Sequence, residues 1–138
     1  MHLIIDASVA LKIGLPEPDS ALAVQLRDDF HSGFHELLAP DVFPIEIGHA
    51  LTRAERQKRI APPAGWVIWQ KIVADCPILF PSYPLMPRAF EISSTMRIGV
   101  YDCLYVALAE REQCNMVTAD IKLLNALKGF PIMSLDSL

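Results

Sequence analysis

Asp6, Glu46, Asp102 and Asp120 are acids set in apolar surroundings along a chain of 138 residues. Asp6 follows the run Leu3-Ile4-Ile5, and Asp120 comes just after Met116-Val117-Thr118. Between Tyr101 and Ala109 every residue except Asp102 is apolar or aromatic, and Glu46 lies on the margin of an apolar helical stripe. Carboxylates with no histidine or cysteine to match suit hard cations such as Mg²⁺ and Mn²⁺, which prefer oxygen ligands. Mg²⁺ keeps several waters and takes one or two carboxylates per ion, plus substrate phosphate. One or two ions held by these acids would suit phosphodiester hydrolysis. Where two ions sit about 3.5–4 Å apart, one activates water and the other stabilises the leaving oxygen of an in-line displacement. Without metal, the same acids repel and raise one another's pKa values.

Each acid also has a plainer structural reading. Asp6 and Asp120 are each placed to cap a following helix. Asp102, in the first turn of a helix, is favoured there by the macrodipole. Glu46 can pair with His49 on its own helix face or stand solvated. His31 and His35 are four apart, but no carboxylate or cysteine completes a metal set with them. Cys76, Cys103 and Cys114 describe neither a disulfide framework nor a zinc site.

The elements that must position the acids follow from periodicity. Strands are expected at Leu3–Ile5, Leu37–Ala39, Ile78–Phe80, Met116–Thr118 and Pro131–Ser134. A turn at Pro16 and Pro18 precedes a helix from Asp19 or Ser20 to about Phe30, with Leu22, Leu26 and Phe30 at helical spacing. The next helix runs from about Val42 to Arg59, capped by Asp41, with Phe43, Ile47, Ala50, Leu51 and Ala54 as its stripe. Pro62-Pro63 starts another, through Trp66, Trp69 and Ile72 to about Asp75, and Pro87 begins one with Phe90, Ile92 and Met96. Tyr101–Ala109 reads as a helix buried nearly all round. This alternation predicts an α/β domain spanning residues 1–138, with a mainly parallel sheet of about five short strands flanked by helices. In such a sheet, ligand sites gather at the carboxyl ends of the strands, where Asp6 and Asp120 fall.

Composition agrees. With 52% hydrophobic residues, a chain of this size can bury about 70% of its unfolded surface. The net charge of −4, from 12 basic and 16 acidic residues, argues mildly against nucleic-acid binding, unless bound cations reverse the local field. No apolar run approaches the roughly 18 residues of a membrane span. The start Met1-His2-Leu3-Ile4-Ile5-Asp6 has no basic leader with a cleavage site, so a cytoplasmic protein is expected.

Around each acid lies a recognisable motif: I-I-D-A-S-V-A-L-K with Asp6, P-I-E-I-G-H-A-L with Glu46, Y-D-C-L-Y-V-A-L-A-E with Asp102 and V-T-A-D-I-K-L-L with Asp120. In this order the chain resembles the PIN-domain nucleases, and within them the VapC-type toxins of bacterial toxin–antitoxin pairs. The resemblance implies a PIN-like fold and a Mg²⁺- or Mn²⁺-dependent endoribonuclease, often acting on tRNA or rRNA. Asp6, Glu46, Asp102 and Asp120 would be its catalytic and metal-holding residues, with one or two ions. It further implies a cognate antitoxin that blocks the site, and a homodimer. By the same analogy Ser8 and Thr118 orient carboxylates or waters, although both also suit plain strand-end hydroxyls. Lys12, about one and a half helical turns beyond Asp6, can reach a phosphate or a neighbouring acid, or stand solvated. Arg53 and Arg56, in a cluster with Lys58 and Arg59, can contact RNA phosphates or simply complement a helix C-terminus. Trp66 and Trp69 read as core or interface anchors before base-stacking platforms.

Two positions depart from the family pattern: His49 stands where Asn often follows the second acid, and Gly99-Val100 where Ser or Thr often precedes the third. Neither removes a carboxylate. The competing reading is a catalytically silent module on the same fold, acting through protein contacts alone. A phospho-acceptor receiver domain fits poorly, because it needs paired acids after the first strand and here Ala7 and Ser8 follow Asp6.

Overall fold

A computed structural model describes residues 1–15, 20–33 and 35–138. Among them are the strands β1 (His2–Ile5), β2 (Glu36–Pro40), β3 (Ile78–Phe80), β4 (Asn115–Thr118) and β5 (Ile132–Ser134). They form a five-stranded sheet in the order β3-β2-β1-β4-β5, with every neighbouring pair parallel. The expected strands are all present, with edges shifted by one residue or so. Ile4 sits in the centre, in register with Leu38 on one side and Met116 on the other. All three are buried, as strands covered on both faces should be.

Helices flank this sheet: α1 (Ala7–Gly14), α2 (Ser20–His31), α3 (Phe43–Arg56), α4 (Ala64–Ala74), α5 (Met86–Met96), α6 (Val100–Glu112) and α7 (Ile121–Ala126). α6 packs against β1, β2 and β4. Its residues Cys103 to Ala109 are buried without a break, which explains why the sequence there shows no polar face. α1 begins directly after β1 and closes on α4. At Gly14 a Cβ would stand 2.5 Å from Ile68 Cγ2, so a bare α-carbon permits that approach.

The order of strands creates one special place. From β1 the chain adds β2 and then β3 on one side, and later adds β4 and β5 on the other. The direction of growth reverses between β1 and β4, and in open parallel sheets the crevice beyond that point is where ligands bind.

Several expectations need correction. Asp41 does not cap α3, whose N-cap Val42 makes no side-chain cap bond. Asp41 Oδ1 instead accepts from Ser82 Oγ at 2.5 Å and Ser82 N at 3.2 Å, tying the end of β2 to the segment after β3. α3 stops at Arg56, and Lys58 takes a left-handed φ of 60°, so the basic cluster runs past the helix end. Leu22 and Phe90 keep their helical spacing yet are exposed. Ala23 and Leu26 carry the buried face of α2, and Ala89 and Ile92 that of α5. The turn at Pro16 and Pro18 and a cap at Asp19 lie outside the described residues.

Candidate active site

The acids converge through a shared device, the start of a helix. Asp6 follows β1 directly and is the N-cap of α1, accepting from Val9 N at 3.2 Å. Asp120 lies just past β4 and is the N-cap of α7, accepting from Lys122 N at 3.0 Å and Leu123 N at 3.2 Å. Glu46 and Asp102 lie in the first turns of α3 and α6. The capping and macrodipole readings are therefore correct, and they coexist with a site. Helix N-termini carry partial positive charge, which offsets part of the repulsion among carboxylates gathered there.

Hydrogen bonds lock the pair at the strand ends. Ser8 Oγ donates to Asp6 Oδ1 at 2.5 Å, and Thr118 Oγ1 donates to Asp6 Oδ2. Ala119 N donates back to Ser8 Oγ, and Asp120 N to Thr118 Oγ1, both at 3.1 Å. Ser8 and Thr118 thus stitch the loop after β4 to the start of α1 around one buried carboxylate. The Asp102 side chain makes no hydrogen bond among the described residues, and its carboxylate keeps its acceptor capacity.

Electrostatics ties the acids into one group. Burial pushes the Asp6 carboxyl up, its hydrogen bonds from Ser8, Thr118 and Val9 pull it down, and Asp120 pushes it up again. Burial raises Glu46 as well, with Tyr105 opposing and the charges of Asp102 and Asp6 adding. Asp102 is pushed up to about 6, by burial first and then by Asp6 and Asp120. Carboxylates that repel one another at this range are stabilised by a cation placed among them.

The donor set fits a hard dication. Every side chain in it offers oxygen, and Glu46 Oε1 is enclosed with no hydrogen-bond partner among the described residues. An enclosed, unpaired acceptor costs about 1–3 kcal/mol unless something satisfies it. The described residues contain no group of three or more His, Cys, Asp or Glu that could hold a metal ion. Mg²⁺ itself takes only one or two carboxylates per ion and fills the rest of its shell with water or phosphate.

The remaining candidates lie further out. Lys12 is half-buried in the last turn of α1. Arg53 and Arg56 are exposed in the last turn of α3. Of the two plainer readings of Glu46, the pairing with His49 does not form: His49 is exposed on α3, and no ion pair joins the two among the described residues. His31 and His35 part company, His31 bonding Asp75 Oδ1 at 2.8 Å and His35 lying 3.7 Å from Asp29 Oδ2. Trp69 Nε1 donates to Pro44 O at 2.9 Å, so it anchors α4 on α3. Trp66 stacks on Trp69 with ring centres 5.1 Å apart and is 60% exposed. Beside them, Ile45, His49, Pro62 and Pro63 line a groove of about 610 Å³.

Sequence reasoning missed Tyr105. It was counted among the apolar residues of α6, yet its hydroxyl is enclosed beside Glu46 and has no hydrogen-bond partner among the described residues. Its one signal was a phenol inside a run that asks only for apolar bulk.

The chain is similar to known proteins. The PIN domain family model matches residues 3–128. Ribonuclease VapC1 of Mycobacterium tuberculosis is 34% identical over 96 residues, 67% of this chain and 68% of that one. VapC ribonuclease Mb0985 of Mycobacterium bovis is 27% identical over 124 residues, 88% of this chain and 87% of its own. Among solved structures, PAE2754 from Pyrobaculum aerophilum superposes with a TM-score of 0.71 at 20% identity, covering 99% of this chain and 94% of that one. VapBC2 from Rickettsia felis, bound to a DNA fragment from their promoter, gives 0.70 at 11% identity, covering 97% and 98%. These two likenesses show the fold.

Proposed function

This chain belongs to the PIN-domain family, with VapC ribonucleases among its relatives, and from that premise we propose that it is a Mg²⁺- or Mn²⁺-dependent endoribonuclease, the toxin of a toxin–antitoxin pair. One observation supports the reading: Asp6 and Asp120 cap the helices after β1 and β4, where the sheet reverses, and Glu46 and Asp102 both feel the charge of Asp6. Asp6, Glu46, Asp102 and Asp120 would hold one or two ions. When bound, such an ion supplies charge neutralisation at the phosphodiester and lowers the pKa of water. Asp6 is held rigid by Ser8, Thr118 and Val9, so it presents a fixed anchor. Glu46 and Asp102, with fewer ties, adjust to the phosphate. Ser8 and Thr118 act by orienting Asp6.

tRNA or rRNA is the substrate class we favour, with Arg53, Arg56 and Lys12 contacting its backbone. The expected partners are a cognate antitoxin and a second copy of this chain, acting in the cytoplasm. No helix among the described residues is long and apolar enough to cross a membrane. The apolar groove between α3 and α4, lined by Ile45, Trp66 and Trp69, is the surface we assign to the antitoxin.

Asp6→Asn keeps an acceptor oxygen for the capping bond and removes the charge. It is expected to stay folded by circular dichroism and to lose Mn²⁺-dependent cleavage of RNA. Undiminished cleavage would reject the assignment. The silent-module reading predicts instead that the parent protein, freed of any partner, shows no Mn²⁺ binding and no cleavage.

A further inference from the structure

Tyr105 sits in the middle of α6 and is 1% exposed. Its Oη and Glu46 Oε1 are both enclosed, and neither has a hydrogen-bond partner among the described residues. Phenylalanine would fill the same space without a polar atom to satisfy, so the hydroxyl adds a cost to the fold with nothing gained in packing. Asp102 lies three residues earlier on the same helix, one turn away and on the same face. A single buried helix thus carries one acid of the site and a hydroxyl beside a second.

The two groups already sense each other. The Tyr105 hydroxyl lowers the Glu46 carboxyl, and after burial the Glu46 charge is the largest influence raising the Tyr105 phenol. An ionised carboxylate only accepts hydrogen bonds, so toward Glu46 the phenol O–H can act only as a donor. The hydroxyl and the carboxylate are near enough to influence each other, yet neither enclosed atom has a hydrogen-bond partner among the described residues.

We propose that Tyr105 is a positioning residue for Glu46: its phenol hydrogen closes onto Oε1 and fixes the orientation in which the carboxylate meets the acid pocket. The inference rests on the nuclease reading and adds a residue to it. It separates Tyr105 from a structural role, because a hydroxyl that only filled space would leave cation affinity untouched.

The test is Tyr105→Phe in the full chain, alone and combined with Glu46→Gln. Titration calorimetry with Mn²⁺ alone should show affinity lower by about 10–100-fold in Y105F. kcat on RNA should fall while KM for RNA holds. The metal-free variant should melt at the parent temperature or above it. In the E46Q background the added Y105F change should have no further effect on Mn²⁺ affinity, because the hydroxyl then has no carboxylate to aim. Parent-like Mn²⁺ affinity in Y105F overturns the proposal, as does a lower melting temperature without metal, which would make the hydroxyl a prop of the fold. A parent protein that neither binds Mn²⁺ nor cuts RNA defeats the nuclease reading itself, an outcome distinct from a Y105F variant that matches an active parent.

Discussion

Thr118 and Asp6, separated by 112 positions in the chain, are joined by a hydrogen bond from the threonine hydroxyl to Asp6 Oδ2. The bond spans the ends of β4 and β1, the two strands between which the sheet reverses its growth. Both residues are buried, so the carboxylate depends on this donor and on Ser8 and Val9 for its charged form.

Thr118→Val keeps the shape and deletes the donor. It leaves Asp6 Oδ2 unsatisfied and removes the acceptor for Asp120 N. At neutral pH the expected loss is about 1–3 kcal/mol, a fall in Tm of roughly 3–10 °C. Thr118→Ser should recover most of it. Thermal melts of the two variants decide the matter, and an unchanged Tm in T118V would show the bond to be unimportant.

Asp102→Asn should do the reverse in metal-free protein. Asp102 has no hydrogen bond to lose among the described residues, and its carboxyl is pushed up to about 6 by burial and by Asp6 and Asp120. Removing the charge relieves that penalty, by about 1–2 kcal/mol once solvent screening of a half-buried group is allowed for. The variant should melt higher than the parent in chelator and lose the stabilisation that Mn²⁺ gives the parent. A lower Tm in chelator contradicts the picture of mutual repulsion.

The same acids set a pH dependence with a definite sign. Asp6, Glu46 and Asp102 all have raised values in the fold. For Asp102 the window runs from 3.8 unfolded to about 6 folded. Across it the folded chain binds more protons than the unfolded chain, so stability from this group falls as pH rises. Above the window the penalty is present in full. In chelator, the Tm difference between D102N and the parent should be near zero at about pH 4 and widen toward pH 7, and saturating Mn²⁺ should cancel the widening. A difference that narrows with rising pH would reverse the sign and sink the argument.

How much of this was legible beforehand depends on what each residue's role requires. The strands and the buried helix α6 were readable because burial on both faces leaves runs such as Leu3-Ile4-Ile5 and Leu104 to Ala109 with no polar interruption. The motif acids were readable because a carboxylate in such a run is conspicuous. Asp41 was misread because a helix cap and a loop tie use the same side chain, and only tertiary structure brings Ser82 to it. The overrun of α3 came from Lys58, whose left-handed backbone no local pattern announces. Tyr105 stayed hidden for a related reason: its ring satisfies the apolar pattern, while its hydroxyl matters only once the fold brings it near Glu46. Phe90 shows the converse, a residue at helical spacing whose face turns out to be solvent-exposed.

Arg53 and Arg56 offer a test of how RNA is held. Arg53 follows Glu46 by seven residues on α3, which places it on nearly the same face and about 10 Å along the axis. Both arginines are exposed, and neither enters an ion pair among the described residues. The helix dipole alone would account for basic residues there, but it predicts an effect on stability and none on RNA. If the pair touches backbone phosphates, Arg53→Ala with Arg56→Ala should raise KM for RNA and leave kcat and Mn²⁺ affinity unchanged. The slope of log affinity against log salt should also become shallower, by about 0.7 for each single-strand phosphate that is no longer neutralised. Binding measured on Asp6→Asn, which should not cut its ligand, separates affinity from turnover. An unchanged salt slope, with stability lowered by a few tenths of a kcal/mol, would return the cluster to the dipole and leave Lys12 as the remaining basic candidate.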